Sequence, residues 1–184
     1  MLIKIALVAL FAAITAAGAF IIIPIGPVPI VLQNLFVLLA GLILGPVLGG
    51  AAVGLYLLAG IVGLPVFAGG TGGIARLAGP TGGYLVGYLL SAIAAGLIAG
   101  RPVAGGKTPL PRIIAAVVVG FLIVYVPGVI WLKISQNLGF VRALVVGFLP
   151  FLIGDALKGV AAVLIAPRLR RTAADFLSNS SRSK

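Results

Sequence analysis

Residues 150–158 read Pro-Phe-Leu-Ile-Gly-Asp-Ala-Leu-Lys, a carboxylate at Asp155 and an ammonium at Lys158 inside a segment that stays apolar until Arg168. Only 2 acidic residues occur among the 184, and the other, Asp175, lies in a basic and polar stretch near the C-terminus. Asp155 is therefore the one acid of the hydrophobic body. Positions i and i+3 share a helix face, so the two charges form a single polar patch. Leaving either in hydrocarbon costs roughly 2.5–3.5 kcal/mol on insertion scales. That side of the helix has to meet protein, water or a ligand.

Around this patch the chain is 62% hydrophobic and 8% charged, a composition outside the range of soluble domains. Apolar runs of about 18–22 residues, the length that crosses about 30 Å of hydrocarbon, alternate with Pro/Gly clusters. Six such spans are expected, near 4–23, 30–46, 48–64, 82–99, 113–132 and 150–171. The expected fold is an all-α integral membrane protein, a bundle of six transmembrane helices occupying residues 1–171 with a long Gly-rich outer loop. Residues 172–184 are expected to form a basic polar cytoplasmic tail. An Ala-x-Ala-like pattern near 17–19 resembles a signal-peptide cleavage site, but the apolar run continues through Ile23 and cleavage would remove the first helix.

The absence of Cys and His from the sequence removes thiolate and imidazole chemistry, and with it most hydrolase, redox and metal-site designs. A lone acid beside a lysine lacks the second carboxylate, metal or nucleophile that an intramembrane enzyme needs. No complete Gly-x-x-x-x-Gly-Lys-Ser/Thr phosphate loop is present, since Gly106-Lys107-Thr108 has Arg101 in place of the first glycine, and a nearly acid-free chain cannot hold catalytic magnesium. No catalytic residue, metal ligand or cofactor is expected. The net charge of +11 reports membrane topology in place of nucleic acid, because its cations gather at helix ends.

The connections carry the remaining polar features. Ala9, Ala13 and Ala17 recur every four residues in the first span and form a smooth stripe, suited to internal packing or to docking on another membrane subunit. Residues 24–29, Pro-Ile-Gly-Pro-Val-Pro, cannot continue a helix. Just beyond them Gln33 and Asn34 place two amides in apolar surroundings, where they satisfy a neighbouring helix or line a polar cavity. The Gly45-Pro46 turn makes the second and third spans an antiparallel hairpin. Residues 65–84 are too glycine-dense for a stable helix and suit a loop that lines or covers a site. Arg76 is its sole charge. Tyr84 and Tyr88 share a face at the start of the fourth span. Tyr125, Pro127 and the interfacial Trp131 mark the end of the fifth, and residues 133–149 suit a short helix lying over the bundle.

With six spans both termini share a side. That side holds Lys4, Arg101, Lys107, Arg112, Arg168, Arg170, Arg171, Arg182 and Lys184, against Arg76, Lys133 and Arg142 on the other. The positive-inside rule places the termini in the cytoplasm. The proline turn, the glycine loop and the start of the last helix then converge on the outer rim.

In chain order, Pro27-Val-Pro29 with Gln33-Asn34, Gly69-Gly70-Thr71-Gly72-Gly73, Gly79-Pro80-Thr81-Gly82-Gly83-Tyr84 and Gly154-Asp155-x-x-Lys158 resemble the BioY family, the biotin-specific membrane component of energy-coupling-factor (ECF) transporters. The resemblance covers the chain from Ala9 to about Arg171. It implies a plasma-membrane bundle that captures biotin from outside and works with a coupling transmembrane subunit and two ATPases, which consume the ATP. It implies that Asp155 and Lys158 contact substrate, that the loop with Gly70, Thr71 and Gly72 covers it, and that Ala9, Ala13 and Ala17 dock to the coupling subunit. Biotin fits in principle: Asp155 would accept from ureido N–H, Lys158 would donate to the ureido carbonyl, and Tyr84 and Trp131 would enclose the ring. Arg76, Lys133 or Arg142 would neutralise the carboxylate. Competing readings are the same fold serving another small vitamin, a solitary biotin facilitator, and a purely structural Asp155–Lys158 brace.

Overall fold

The computed structural model describes residues 2–24 and 27–182, with side chains to Ser178. Helix α1 (Leu2–Gly18) leads into a two-stranded hairpin, β1 (Ile22–Ile23) and β2 (Ile30–Val31), in antiparallel register Ile22 to Val31 and Ile23 to Ile30. Then follow α2 (Gln33–Ile61), the one-turn α3 (Ala75–Ala78), α4 (Gly82–Ala99), α5 (Leu110–Ser135), α6 (Phe140–Gly147), a 3-10 turn (Leu149–Phe151) and α7 (Leu152–Arg182).

Helix α2 is folded back on itself. Gly45 adopts φ 79°, ψ −180° inside it, a conformation open to glycine, and Pro46 opens the next limb with its missing N–H among the unpaired donors of a first turn. Gln33 Nε2 donates to Tyr56 Oη over 2.7 Å, although 23 residues of straight helix would separate them by about 34 Å. The two limbs are therefore antiparallel, as the Gly-Pro signal predicts. Six limbs result: α1, the two of α2, α4, α5 and α7. Among the described residues, 4 helical stretches are long and apolar enough to cross a bilayer with folded α2 counted once, and α1 is a shorter apolar helix.

Helix α4 lies at the centre, packed on α2 and α5. Small residues permit the approach: a Cβ on Gly41 would stand 2.1 Å from the Ala92 carbonyl oxygen, and one on Gly87 would stand 2.6 Å from that of Val124. Leu122, Val126, Ile130, Leu157, Val160 and Leu164 are exposed and form an apolar outer surface suited to acyl chains. The hairpin, the 62–81 loop, the end of α5 and the start of α7 gather at one end of the bundle. The Gly45 turn and the 100–109 loop lie at the other.

Three features differ from expectation. The first helix stops at Gly18, because Ile21–Ile23 are β-branched residues that pair well as strand before a proline turn. The glycine loop contains the single turn α3, and its last residues, from Gly82 on, already belong to α4, which spans Gly82–Ala99 as expected. Helix α7 passes residue 171 and continues to Arg182, with Ala173 and Ala174 buried.

Candidate functional site

At the end where the long connections gather, a cavity of about 150 Å³ opens between the hairpin, the loop and three helices. Pro27, Val28 and Pro29 wall it from the hairpin, Gln33 and Asn34 from the first turn of α2, and Phe67, Ala68, Thr71 and Arg76 from the loop. Tyr84, Leu85 and Tyr88 come from α4, Val124 and Tyr125 from α5, and Phe151 from the 3-10 turn. Alternation of aromatic walls with a few fixed polar groups is the composition of a small-molecule site.

The polar groups are held from behind by the ion pair. Asp155, in the first turn of α7, and Lys158, in the second, are both buried, and their Nζ–Oδ1 distance is 3.0 Å. Asp155 Oδ1 also accepts from Asn34 Nδ2 (2.9 Å), and Oδ2 accepts from the Tyr125 hydroxyl. Lys158 Nζ donates to Asn34 Oδ1 and to the Val31 carbonyl, both at 2.9 Å. All three ammonium hydrogens thus have acceptors, which is what permits this charge to stay buried.

The tyrosines divide in role. Tyr84 donates to the Gly147 carbonyl (2.8 Å), locking α4 to the end of α6. Tyr125 packs edge-on against Phe148 at 4.8 Å and against Tyr84 at 6.2 Å, so its ring is fixed while its hydroxyl points at Asp155. Tyr88 is 7% exposed, lines the cavity, and its hydroxyl has no hydrogen-bond partner among the described residues.

Of the residues expected at the site, Gln33, Asn34, Thr71, Arg76 and Tyr84 line the cavity. Asp155 and Lys158 do not touch its surface as expected: they stand one layer behind, reaching it through Asn34 and Tyr125. Trp131 is also displaced from the expected wall, because its Nε1 donates to the Gly79 carbonyl (2.9 Å) and clamps the loop to α5. Gly70 and Gly72 shape the loop without lining the cavity. Gly70 has φ +69° in the turn between bridged Phe67 and Thr71, and a Cβ on Gly72 would stand 2.2 Å from the Leu64 carbonyl oxygen. Of the three cations expected on the outer side, only Arg76 reaches the lining; Lys133 and Arg142 do not. Tyr88 and Tyr125 also line the cavity, although sequence reasoning gave them no role, their one signal being a hydroxyl within an apolar span. Ala9, Ala13 and Ala17 are all exposed on α1, whereas Phe11, Ala12, Thr15 and Gly18 face inward. The stripe is not consumed by internal packing.

A membrane bundle that closes a small aromatic and polar cavity at one end defines a membrane-embedded solute-binding protein. Residues 2–175 match the model of the BioY family, and the chain belongs to that family. It is 43% identical over 167 residues, 91% of its length, to the probable biotin transporter BioY of Pyrococcus horikoshii, of which 96% is covered. It is 43% identical over 162 residues to the biotin transporter BioY of Thermotoga maritima, covering 88% of this chain and 92% of that one. Among solved structures, the S-component for biotin from an ECF-type ABC transporter superposes with a TM-score of 0.81 at 33% identity, covering 91% of this chain and 90% of the other. These relatives are transporters, not enzymes.

Proposed function

We propose that this chain is the biotin-binding membrane subunit of a vitamin uptake transporter, and that the cavity at the hairpin end receives the vitamin. The observation that carries the reading is the unpartnered Tyr88 hydroxyl beside Asn34 and Tyr125, between the apolar walls of Val28, Phe67, Leu85 and Phe151. A ureido ring offers two N–H donors and a carbonyl acceptor on an apolar bicycle. Tyr88 donates to the carbonyl, while the free lone pairs of Tyr125 and Asn34 accept from the N–H groups. Asp155 and Lys158 strengthen these bonds from behind, since charge-assisted hydrogen bonds are roughly twice as strong as neutral ones. The carboxylate tail points to the rim, where the planar, exposed Arg76 guanidinium pairs with it. Thr71 supplies a further acceptor, its own hydroxyl proton being directed to the Ala68 carbonyl at 3.0 Å.

The cavity of about 150 Å³ is below the ~300 Å³ lower end of small-molecule sites, so capture widens it. The 62–81 loop gives way, because positive-φ glycines at 69, 70 and 73 leave its backbone free to rearrange. Ligand entry then moves Asn34 and brings the ureido group toward Asp155 and Lys158.

Uptake needs energy that this chain does not supply. A coupling transmembrane subunit with two ATPases delivers biotin inward in our reading, docked on the exposed Ala9, Ala13 and Ala17 stripe. The nine cations on the side of the termini support a plasma-membrane orientation with both termini cytoplasmic. Isothermal titration of the purified protein with a panel of vitamins tests the assignment. Heat with biotin alone supports it, and binding of thiamine without biotin overturns it.

A further inference from the structure

At the end of the bundle opposite the cavity, a second pocket of about 520 Å³ is bounded by the 99–109 segment, the start of α5 and the middle of α7 around Pro167–Arg171. Five cationic residues line it, Arg101, Lys107, Arg112, Arg170 and Arg171, and no acid does. The only ion pair among the described residues is Lys158–Asp155, at the other end.

Arg170 is the built part of this pocket. It is 4% exposed, and its guanidinium donates to the carbonyls of Leu42, Ala99 (3.0 Å) and Gly100 (3.0 Å) and to Thr108 Oγ1 (3.1 Å). These partners are neutral, so they satisfy its hydrogens without cancelling its charge. Arg112 is drawn to the same place: its Nε donates to the Ile98 carbonyl, and its Nη2 stands 3.1 Å from where a Cβ on Gly100 would be. Two guanidiniums thus meet the C-terminal carbonyls of α4, with the exposed side chains of Arg101, Lys107 and Arg171 around them. Helix termini with carbonyls facing the site explain why one arginine is bound there. They do not explain five cations without a counter-charge.

We propose that this pocket is a binding site for the phosphate of an anionic phospholipid headgroup. Its position where helices leave the apolar belt puts it at headgroup depth, basic pockets between membrane helices suit such headgroups, and arginines fork onto phosphate oxygens bidentately. The apolar outer faces of α5 and α7 would carry the acyl chains. Only the choice of leaflet, the cytoplasmic one, rests on the orientation proposed above.

The test uses the whole purified protein in neutral detergent, supplemented in separate arms with phosphatidylglycerol, phosphatidylcholine, inorganic phosphate or polyglutamate, and read by native mass spectrometry and the thermal unfolding midpoint. The triple variant Arg101→Gln/Lys107→Gln/Arg171→Gln spares Arg112 and Arg170, whose bonds to helix carbonyls belong to the fold. Phosphatidylglycerol is expected to bind and raise the midpoint more than phosphatidylcholine, with affinity falling about tenfold or more in the variant. Equal responses to the two lipids, or a preference unchanged in the variant, overturn the proposal. A response to inorganic phosphate without one to phosphatidylglycerol assigns the pocket to a free phosphate compound and overturns the lipid source. A response to polyglutamate alone assigns it to an acidic protein partner and overturns it likewise. Biotin affinity of the triple variant is expected to be unchanged, which separates this outcome from a failure of the biotin reading.

Discussion

Lys158 Nζ donates to the Val31 carbonyl over 2.9 Å, so an ammonium on the last helix holds the strand beside the cavity across 127 residues of chain. The same nitrogen bonds Asn34 Oδ1 and Asp155 Oδ1, and the pair therefore fixes the hairpin and the cavity floor together. Removing one member leaves the other charge buried, at a cost of about 3–5 kcal/mol. Lys158→Met is expected to lower the unfolding midpoint and biotin affinity together. The double variant Asp155→Leu/Lys158→Met is expected to recover much of the midpoint but not the affinity. Normal biotin binding by the double variant would reduce the pair to a brace.

Arg76 is the one cation that lines the cavity, and its exposed guanidinium is available to a ligand carboxylate. Arg76→Gln should weaken biotin by about tenfold or more, the worth of a charged hydrogen bond, while biotin methyl ester should bind both proteins alike. Titration calorimetry with the two ligands reads the difference. Equal losses for acid and ester would remove Arg76 from the carboxylate.

Backbone contact between α2 and α4 limits what position 41 accepts. Gly41→Ala drives a methyl to 2.1 Å from the Ala92 carbonyl oxygen, and overpacking of this kind costs about 1–3 kcal/mol or more. Folded yield and unfolding midpoint should both drop. Gly54→Ala, which meets nothing within 4 Å, is the matched control and should leave both unchanged.

The exposed stripe on α1 separates binding from delivery. Ala13→Leu adds bulk to an exposed face of α1, away from the cavity lining, so purified protein should bind biotin normally. Uptake by cells that also carry the coupling module should fall severalfold. Loss of binding in the purified variant would return the stripe to internal packing.

Much of this arrangement is legible in the sequence because hydrocarbon admits few alternatives. Gly45-Pro46 announces the α2 hairpin, as backbone that cannot stay helical between two apolar runs has to reverse. Asp155 and Lys158 announce a shared buried patch for the same reason. The β-hairpin is less visible: in a membrane sequence, isoleucines at 21–23 read as more helix, and only pairing with Ile30 and Val31 makes them strand. Tyr88 and Tyr125 resemble packing aromatics until the fold brings both to the cavity wall and points the Tyr125 hydroxyl at Asp155. Arg170 reads as one more topological cation, although the fold buries it against carbonyls from two helices. Trp131 has the residue type of a ring-stacking wall, but the Gly79 carbonyl captures its indole N–H.

The most direct measurement is the biotin affinity of Tyr88→Phe. Because the Tyr88 hydroxyl has no protein partner among the described residues, its removal should leave the unfolding midpoint unchanged or slightly higher. If the ureido carbonyl accepts from that hydroxyl, biotin binds about three- to tenfold more weakly, as a lost neutral hydrogen bond of about 1 kcal/mol dictates. An affinity equal to that of the unmodified chain would contradict the placement of biotin in this cavity.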